Sequence, residues 1–258
     1  MQEVDINFDI EETFRPWVIS RKPGLLNSIL YWIRLGIDTP YRSLITGVKP
    51  LLKDFSGNVL DIGAGSQFFK RYLPKTANYR ALELKQQGRL FGWEEEARNI
   101  DFYDGIDMPY ENESFNNILC LEVFEHCKDP SQLIREIERV IKPSGTVVIS
   151  VPFAAKWHYI PHDYWRFTPS GLKNIFSKAK TLKLHQMLSR GTDFTVIFHT
   201  TASALTGFLF RKSILSKIAG VLLFPLAYLA GLLANISDFF DLGAPENNIG
   251  YICILKKI

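Results

Sequence analysis

The chain has 258 residues, with 30 Lys+Arg against 27 Asp+Glu for a net charge of +3, and 47% of its residues are apolar against 22% charged. So small a charge argues against a nucleic-acid wrapper, and so large an apolar fraction against a disordered chain. Cys120, Cys127 and Cys253 contain no Cys-x-x-Cys pair and give neither a disulfide framework nor a zinc site, so no metal ligand is expected. The start, Met1-Gln-Glu-Val-Asp-Ile-Asn-Phe-Asp-Ile10, is acidic where a signal peptide is basic and then apolar, which makes the cytosol the expected location. No 20–50-residue period repeats, so solenoids and propellers are set aside.

From about Pro23 to Asp54, Leu25, Leu26, Ile29, Leu30 and Ile33 fall at helix spacing and Pro40 and Pro50 interrupt the run, predicting an N-terminal helical cap over residues 1–55. Gly57-Asn-Val-Leu-Asp-Ile62 then reads as a strand, Gly63-Ala-Gly65 as a glycine turn and Gln67–Leu73 as a helix. Tyr79–Leu84 and Asn117–Leu121 read as further strands. A helix starting near Ser131 carries Leu133, Ile134, Ile137, Val140 and Ile141 on one face and Arg135, Glu136, Glu138 and Arg139 on the other; Pro143-Ser-Gly145 stops it. Thr146–Val151 is apolar enough to be a strand covered on both faces.

Strands alternating with helices predict an α/β fold with a parallel sheet, core residues 56–189, in which ligands lie at the carboxyl ends of the strands. Residues 190–246 differ: Phe194–Phe210 carries no charge beyond a protonated His199, and Ile218–Ser237 is a second uncharged run of helical length sufficient for a bilayer core. Asn248–Leu255 then returns as a last strand, so residues 247–258 rejoin the core.

The loops after the strands hold the chemistry. Val59-Leu-Asp-Ile-Gly-Ala-Gly65 places a glycine turn and an acid after a strand, where the backbone can approach a ligand closely. Glu83 ends the second strand, where a carboxylate can take both hydroxyls of a ribose. No Gly-x-x-x-x-Gly-Lys-Ser/Thr occurs, which argues against a nucleotide triphosphatase.

Five motifs stand in order over about 115 residues: Val59–Gly65, Glu83, Asp104-Gly-Ile-Asp-Met-Pro-Tyr110, Glu122-Val-Phe-Glu-His126 and Ile141-Lys-Pro-Ser-Gly145. This set resembles the class I S-adenosylmethionine-dependent methyltransferases, in their small-molecule branch. The resemblance implies a doubly wound, mostly parallel seven-stranded sheet with an antiparallel last strand, and S-adenosylmethionine as cofactor. Gly63, Ala64 and Gly65 would lie against its methionine part, Asp61 would anchor the turn and the amino group, and Glu83, next to Leu84, would hold the ribose. Asp104 and Gly105 would meet the adenine, and Glu122 would orient the site or cap the segment after it. A third glycine usual in the family is replaced by Gln67, making the turn a tighter fit.

The polar cluster after the fifth strand, Lys156-Trp-His-Tyr-Ile-Pro-His-Asp-Tyr-Trp-Arg166, lies where an acceptor belongs. His158, His162 and Asp163 are candidates for the base that takes a hydroxyl proton, with His126 a fourth candidate better suited to a supporting role. Trp157, Tyr159, Tyr164 and Trp165 offer surfaces for a sugar or ring. In the alternative reading the loop is an aromatic plug in which Asp163 pairs with Arg166.

The apolar run cannot cross a membrane once and still return a strand to the sheet. It is read as a shallow hairpin or interfacial element over 194–237 flanked by Arg211, Lys212 and Lys217, with Pro225, Gly231 and Asn235 weakening a span; a buried lid or a homodimer surface is the alternative. The expected activity is therefore methyl transfer to a small or lipid-linked acceptor, a hydroxyl of a glycan or glycolipid intermediate, at the inner face of the membrane, without nucleic acid. A quinone or polyprenyl-ring acceptor, or a catalytically silent cofactor-binding scaffold, is the rival.

Overall fold

A computed structural model describes residues 25–85, 100–158, 162–211 and 213–258. The acidic start, Tyr159 and Lys212 lie outside the described residues. The strands are β1 (Gly57–Ile62), β2 (Ala77–Leu84), β3 (Ile100–Tyr103), β4 (Phe115–Leu121), β5 (Ile141–Pro152), β6 (Leu182–Arg190) and β7 (Gly250–Lys257). The described helices are α1 (Leu25–Ile37), α2 (Thr39–Val48), α3 (Pro130–Val140), α4 (Pro169–Phe176), α5 (Asp193–Thr206) and α6 (Ile214–Phe239).

The described chain falls into two units, one built from Lys49–Leu188 and Ile252–Ile258, the other from the helices up to Val48 and from Ser189–Tyr251. In the first unit the strand order is β3-β2-β1-β4-β5-β7-β6, and β1 pairs in parallel with both β2 and β4. The order reverses between β1 and β4, so the ligand crevice opens at their carboxyl ends. The β7 strand is antiparallel to β6: the Ile249 N–H donates to Arg190 O and the Ile258 N–H to Thr181 O, so rising numbers on one strand meet falling numbers on the other. The sheet is buried on both faces. Leu60, Leu82, Ile118, Leu119 and Ile149 are among its fully buried side chains, and each contributes on the order of 1.5–3 kcal/mol by leaving water.

Helix α3 forms where its stripe predicts. Asp129 caps it by accepting the N–H groups of Ser131 and Gln132, Pro130 occupies the first turn, and Leu133, Ile134, Ile137 and Val140 are buried. Two local expectations are corrected. Pro143–Gly145 does not end the helix before a separate strand: β5 starts at Ile141, and the three residues form a kink within it, marked by a positive φ of 61° at Ser144 and a register shift opposite Phe115–Asn117. Residues 68–72 form a 3-10 turn rather than the expected helix; Gln67, where the family carries glycine, is held at φ 54°, a left-handed conformation costly for a residue with a Cβ. The N-terminal helices α1 and α2 cluster with residues 189–251.

In this second unit, α5 and α6 pack along each other and α6 also packs on α1 and α2. The inner face of α6 is made of small residues: Gly220, Ala227, Ala230, Gly231, Ala234 and Asn235 are buried. A Cβ at Gly231 would stand 2.5 Å from the Gly36 carbonyl oxygen, so only glycine permits this approach. The Asn235 amide donates to the carbonyls of Leu35 and Gly36 at 3.2 and 3.0 Å, satisfying acceptors left unpaired at the end of α1. Asn235, expected to weaken an apolar span, thus faces inward. The large side chains point outward: Ile218, Val221, Leu222, Leu226 and Leu229 on α6 are exposed, as are Leu25, Leu26 and Trp32 on α1.

Candidate functional site

The crevice is lined by the loops that follow β1, β2, β3 and β4. Asp61 is the penultimate residue of β1 and is 4% exposed; its Oδ2 accepts the Tyr79 hydroxyl at 2.7 Å. Burial pushes its carboxyl up to about 7, against the Tyr79 hydrogen bond, with nearby Glu83 adding to the rise. Glu83, 6% exposed near the end of β2, accepts the Gly65 N–H at 3.1 Å on Oε2 and the Leu84 N–H at 2.9 Å on Oε1. Burial raises its pKa although both backbone bonds oppose the rise. Glu83 is therefore the clasp that closes the glycine turn onto β2, and a carboxylate with two such bonds has lone pairs left for two hydroxyls.

Gly63 turns at φ 66°, and a Cβ there would lie 2.4 Å from Val123 Cγ2, so the residue is glycine first because the loop after β4 presses on it. Its N–H and that of Ala64 both donate to Leu82 O. Asp104, beyond β3, is exposed and accepts the Ile106 N–H at 3.0 Å, which lowers its pKa; with Gly105 it shapes a loop beside Leu84. Glu122 sits at φ 55°, just past β4, its N–H donating to the Ser150 carbonyl and its Oε1 accepting the Ser150 hydroxyl at 2.8 Å.

The loop after β5 is organised by an ion pair whose carboxylate is buried. Asp163 holds Arg166 through both carboxylate oxygens at 2.6 and 2.7 Å and accepts the His158 N–H at 3.1 Å. Burial alone would raise its pKa, but the Arg166 and His158 hydrogen bonds outweigh it and hold the carboxyl below its usual range. Asp163, one of the base candidates, is here the counter-ion that fixes the loop. His162 places its ring against the Tyr164 hydroxyl at 3.1 Å, and it is its backbone carbonyl that receives His126 Nδ1 at 2.7 Å. His126 and His158 do come together, their rings edge to face with centroids 5.1 Å apart.

Glu125 and Tyr79 were missed. Glu125 is fully buried next to His126, with Oε1 3.6 Å from His126 Nε2. It stands inside the Glu122–His126 motif, so its proximity to the site was available from sequence, though its burial was not. Tyr79 was read only as a strand residue, although its register opposite Val59 in the parallel pair β1–β2 puts its ring within reach of Asp61. A cavity of about 190 Å3 lined by Asn58, Asn78, Arg80 and Tyr110 lies at the opposite, amino-terminal edge of the sheet, away from this chemistry.

Two buried acids beside a glycine turn fit a ligand that brings a cationic centre and vicinal hydroxyls, as S-adenosylmethionine does. The comparisons agree. Residues 60–149 match the family model described as a methyltransferase domain. A tRNA U34 carboxymethyltransferase from Campylobacter fetus is 25% identical over 74% of this chain and 74% of its own length. A ubiquinone biosynthesis O-methyltransferase from Xanthomonas oryzae is 32% identical over 38% of this chain and 44% of its own. The matched stretch spans only 25% and 42% of the length of two further curated relatives. Among solved structures, an S-adenosylmethionine-dependent methyltransferase from Mesorhizobium loti shares the fold with a TM-score of 0.53 at 12% identity, over 83% of this chain and 98% of that one. Residues 60–149 thus carry the match to a methyltransferase domain, and the comparisons together support a class I S-adenosylmethionine-dependent methyltransferase.

Proposed function

We propose that this protein methylates an oxygen of a lipid-linked acceptor at a membrane surface, a glycan or glycolipid intermediate carrying an apolar tail. The observation that carries the reading is the inverted packing of the helical unit. Small residues are inside α6 and large apolar side chains outside, the reverse of what a helix facing water requires. Helix α6 is 26 residues long and apolar enough for a bilayer; lying in the interface, it would hold the enzyme where a lipid-linked substrate is dissolved. The near-neutral net charge supports a non-nucleic acceptor.

When bound, S-adenosylmethionine supplies a methyl group activated on sulfur; the new O–CH3 bond forms as C–S breaks, with the bonding pair left on sulfur and the hydroxyl proton released. Glu83 would hold the ribose hydroxyls while keeping the Gly65 turn shut. Asp61 would face the cationic amino group, whose charge favours the ionised carboxylate. The loop fixed by Asp163 and Arg166 orders the acceptor side, and alignment of the reacting atoms is the main catalytic contribution this kind of displacement needs.

Similarity to the ubiquinone enzyme favours a second acceptor, a polyprenylated ring hydroxyl. Incubation with methyl-labelled S-adenosylmethionine and a lipid extract tests both. Label entering the organic phase in a Glu83-dependent manner supports the reading, and chromatography of the product separates glycolipid from quinone. Label confined to aqueous products or to RNA overturns the lipid acceptor, and cofactor binding without any turnover would instead fit a scaffold.

A further inference from the structure

We propose that Glu125, His126 and His158 form a binding site for one divalent first-row transition-metal ion, of the kind that takes imidazole and carboxylate ligands, at the carboxyl end of β4. Each residue offers one ligand atom, and these atoms lie within 4.8 Å of one another. The ligand atoms around such an ion sit roughly 3–3.5 Å apart, so the three groups would draw together on binding, and half-exposed His158 has the most room to move.

Three observations point to a cation. First, the Glu125 side chain is fully buried, yet neither carboxylate oxygen has a hydrogen-bond partner among the described residues. A buried carboxylate so placed is costly unless a cation meets it, and a protonated carboxyl would still need an acceptor for its own O–H. Second, each histidine has its Nδ1 engaged by a backbone carbonyl. His126 Nδ1 donates to the His162 carbonyl at 2.7 Å and His158 Nδ1 to the Lys156 carbonyl at 2.9 Å, an assignment that makes Nε2 the basic nitrogen on each ring. Backbone carbonyls on Nδ1 are the usual outer partners of metal-bound histidines. Third, the local charge favours a cation: Glu122 acts on Glu125 as a second negative neighbour, and the nearby guanidinium of Arg166 is already neutralised by Asp163.

Three protein ligands leave coordination positions open, as in sites where an ion polarises a bound oxygen. Val123, between Glu122 and the cluster, presses on the Gly63 turn, so the ion would sit beside the cofactor crevice. A role in activating the acceptor hydroxyl rests on the proposed methyl transfer; binding of the ion does not.

The test is titration of chelator-treated full-length protein with CoCl2, read by visible d–d absorption and by equilibrium dialysis. The proposal expects saturation at one equivalent, with affinity at least tenfold weaker in His158→Ala and in Glu125→Gln. His158→Ala removes a half-exposed ring, and circular dichroism with calorimetric binding of S-adenosylhomocysteine reports that its fold and cofactor site are intact. Absence of saturable Co2+ binding, or an identical titration in both variants, overturns the metal site. Retained S-adenosylhomocysteine binding in that case leaves the methyltransferase reading standing.

Discussion

The sheet unit and the helical unit draw on the same apolar residue types and distribute them in opposite ways. Around the sheet, Ile118, Leu119 and Ile149 are wholly buried and the polar groups that accompany them, Asp61 and Glu83, are paired with Tyr79 and backbone N–H groups. In α6 the interior is Gly, Ala and Asn, and Leu222, Leu226 and Leu229 face out. The first unit hides its apolar surface within itself, while the second presents it. Burial in the sheet therefore bears on stability, and the exposed helix face is the surface that the proposed function uses.

Truncating a side chain in each unit tests this directly, and the largest effect belongs to the sheet. Ile118→Ala should cost about 2–5 kcal/mol in denaturant unfolding, since it leaves a cavity in the centre of β4. Glu83→Ala should weaken S-adenosylhomocysteine binding at least a hundredfold by calorimetry, about 2.7 kcal/mol; unchanged affinity would remove Glu83 from the cofactor site. Asp61 gives a pH signature. Its folded pKa of about 7 lies above the ordinary 3.8, so the folded state binds the extra proton. The stability this brings is complete below pH 4 and is lost as pH rises through 7. Relative to Asp61→Asn, the native chain should lose about 2 kcal/mol between pH 5 and 7, and a parallel pair of stability curves would contradict the buried carboxyl. Asn235→Ala should cost about 1 kcal/mol, the net worth of its amide bonds to α1. Leu222→Ala should change stability by less than about 0.5 kcal/mol, because the side chain is already exposed.

How far the sequence carried the structure follows the same division. The strand-and-turn run Val59–Gly65, the capped stripe of α3 and the family motifs are local patterns, and they led to the sheet and the cofactor loops. The kink at Ser144 and the left-handed Gln67 were hidden because each is a residue with a Cβ placed where tertiary packing overrides its preference. The α5–α6 run was visible as apolar, but which face would be buried depended on the close approach of Gly231 to the Gly36 carbonyl, a contact between residues 195 positions apart. The Glu125, His126 and His158 cluster was hidden for a similar reason: Glu125 and His126 are adjacent, but His158 arrives from the loop after β5, and no spacing rule joins the two.

The claim that the helical unit meets a lipid phase while the sheet unit binds the cofactor is tested most directly by vesicle flotation of the intact protein beside a variant carrying Leu222→Asp, Leu226→Asp and Leu229→Asp. The account predicts that the native chain floats with the vesicles, that the variant stays in the aqueous fraction, and that both bind S-adenosylhomocysteine equally. If the two distribute alike between vesicles and buffer, the outward apolar face is not a membrane surface; a native chain that remains in buffer and dimerises through α6 would assign that face to a second copy instead.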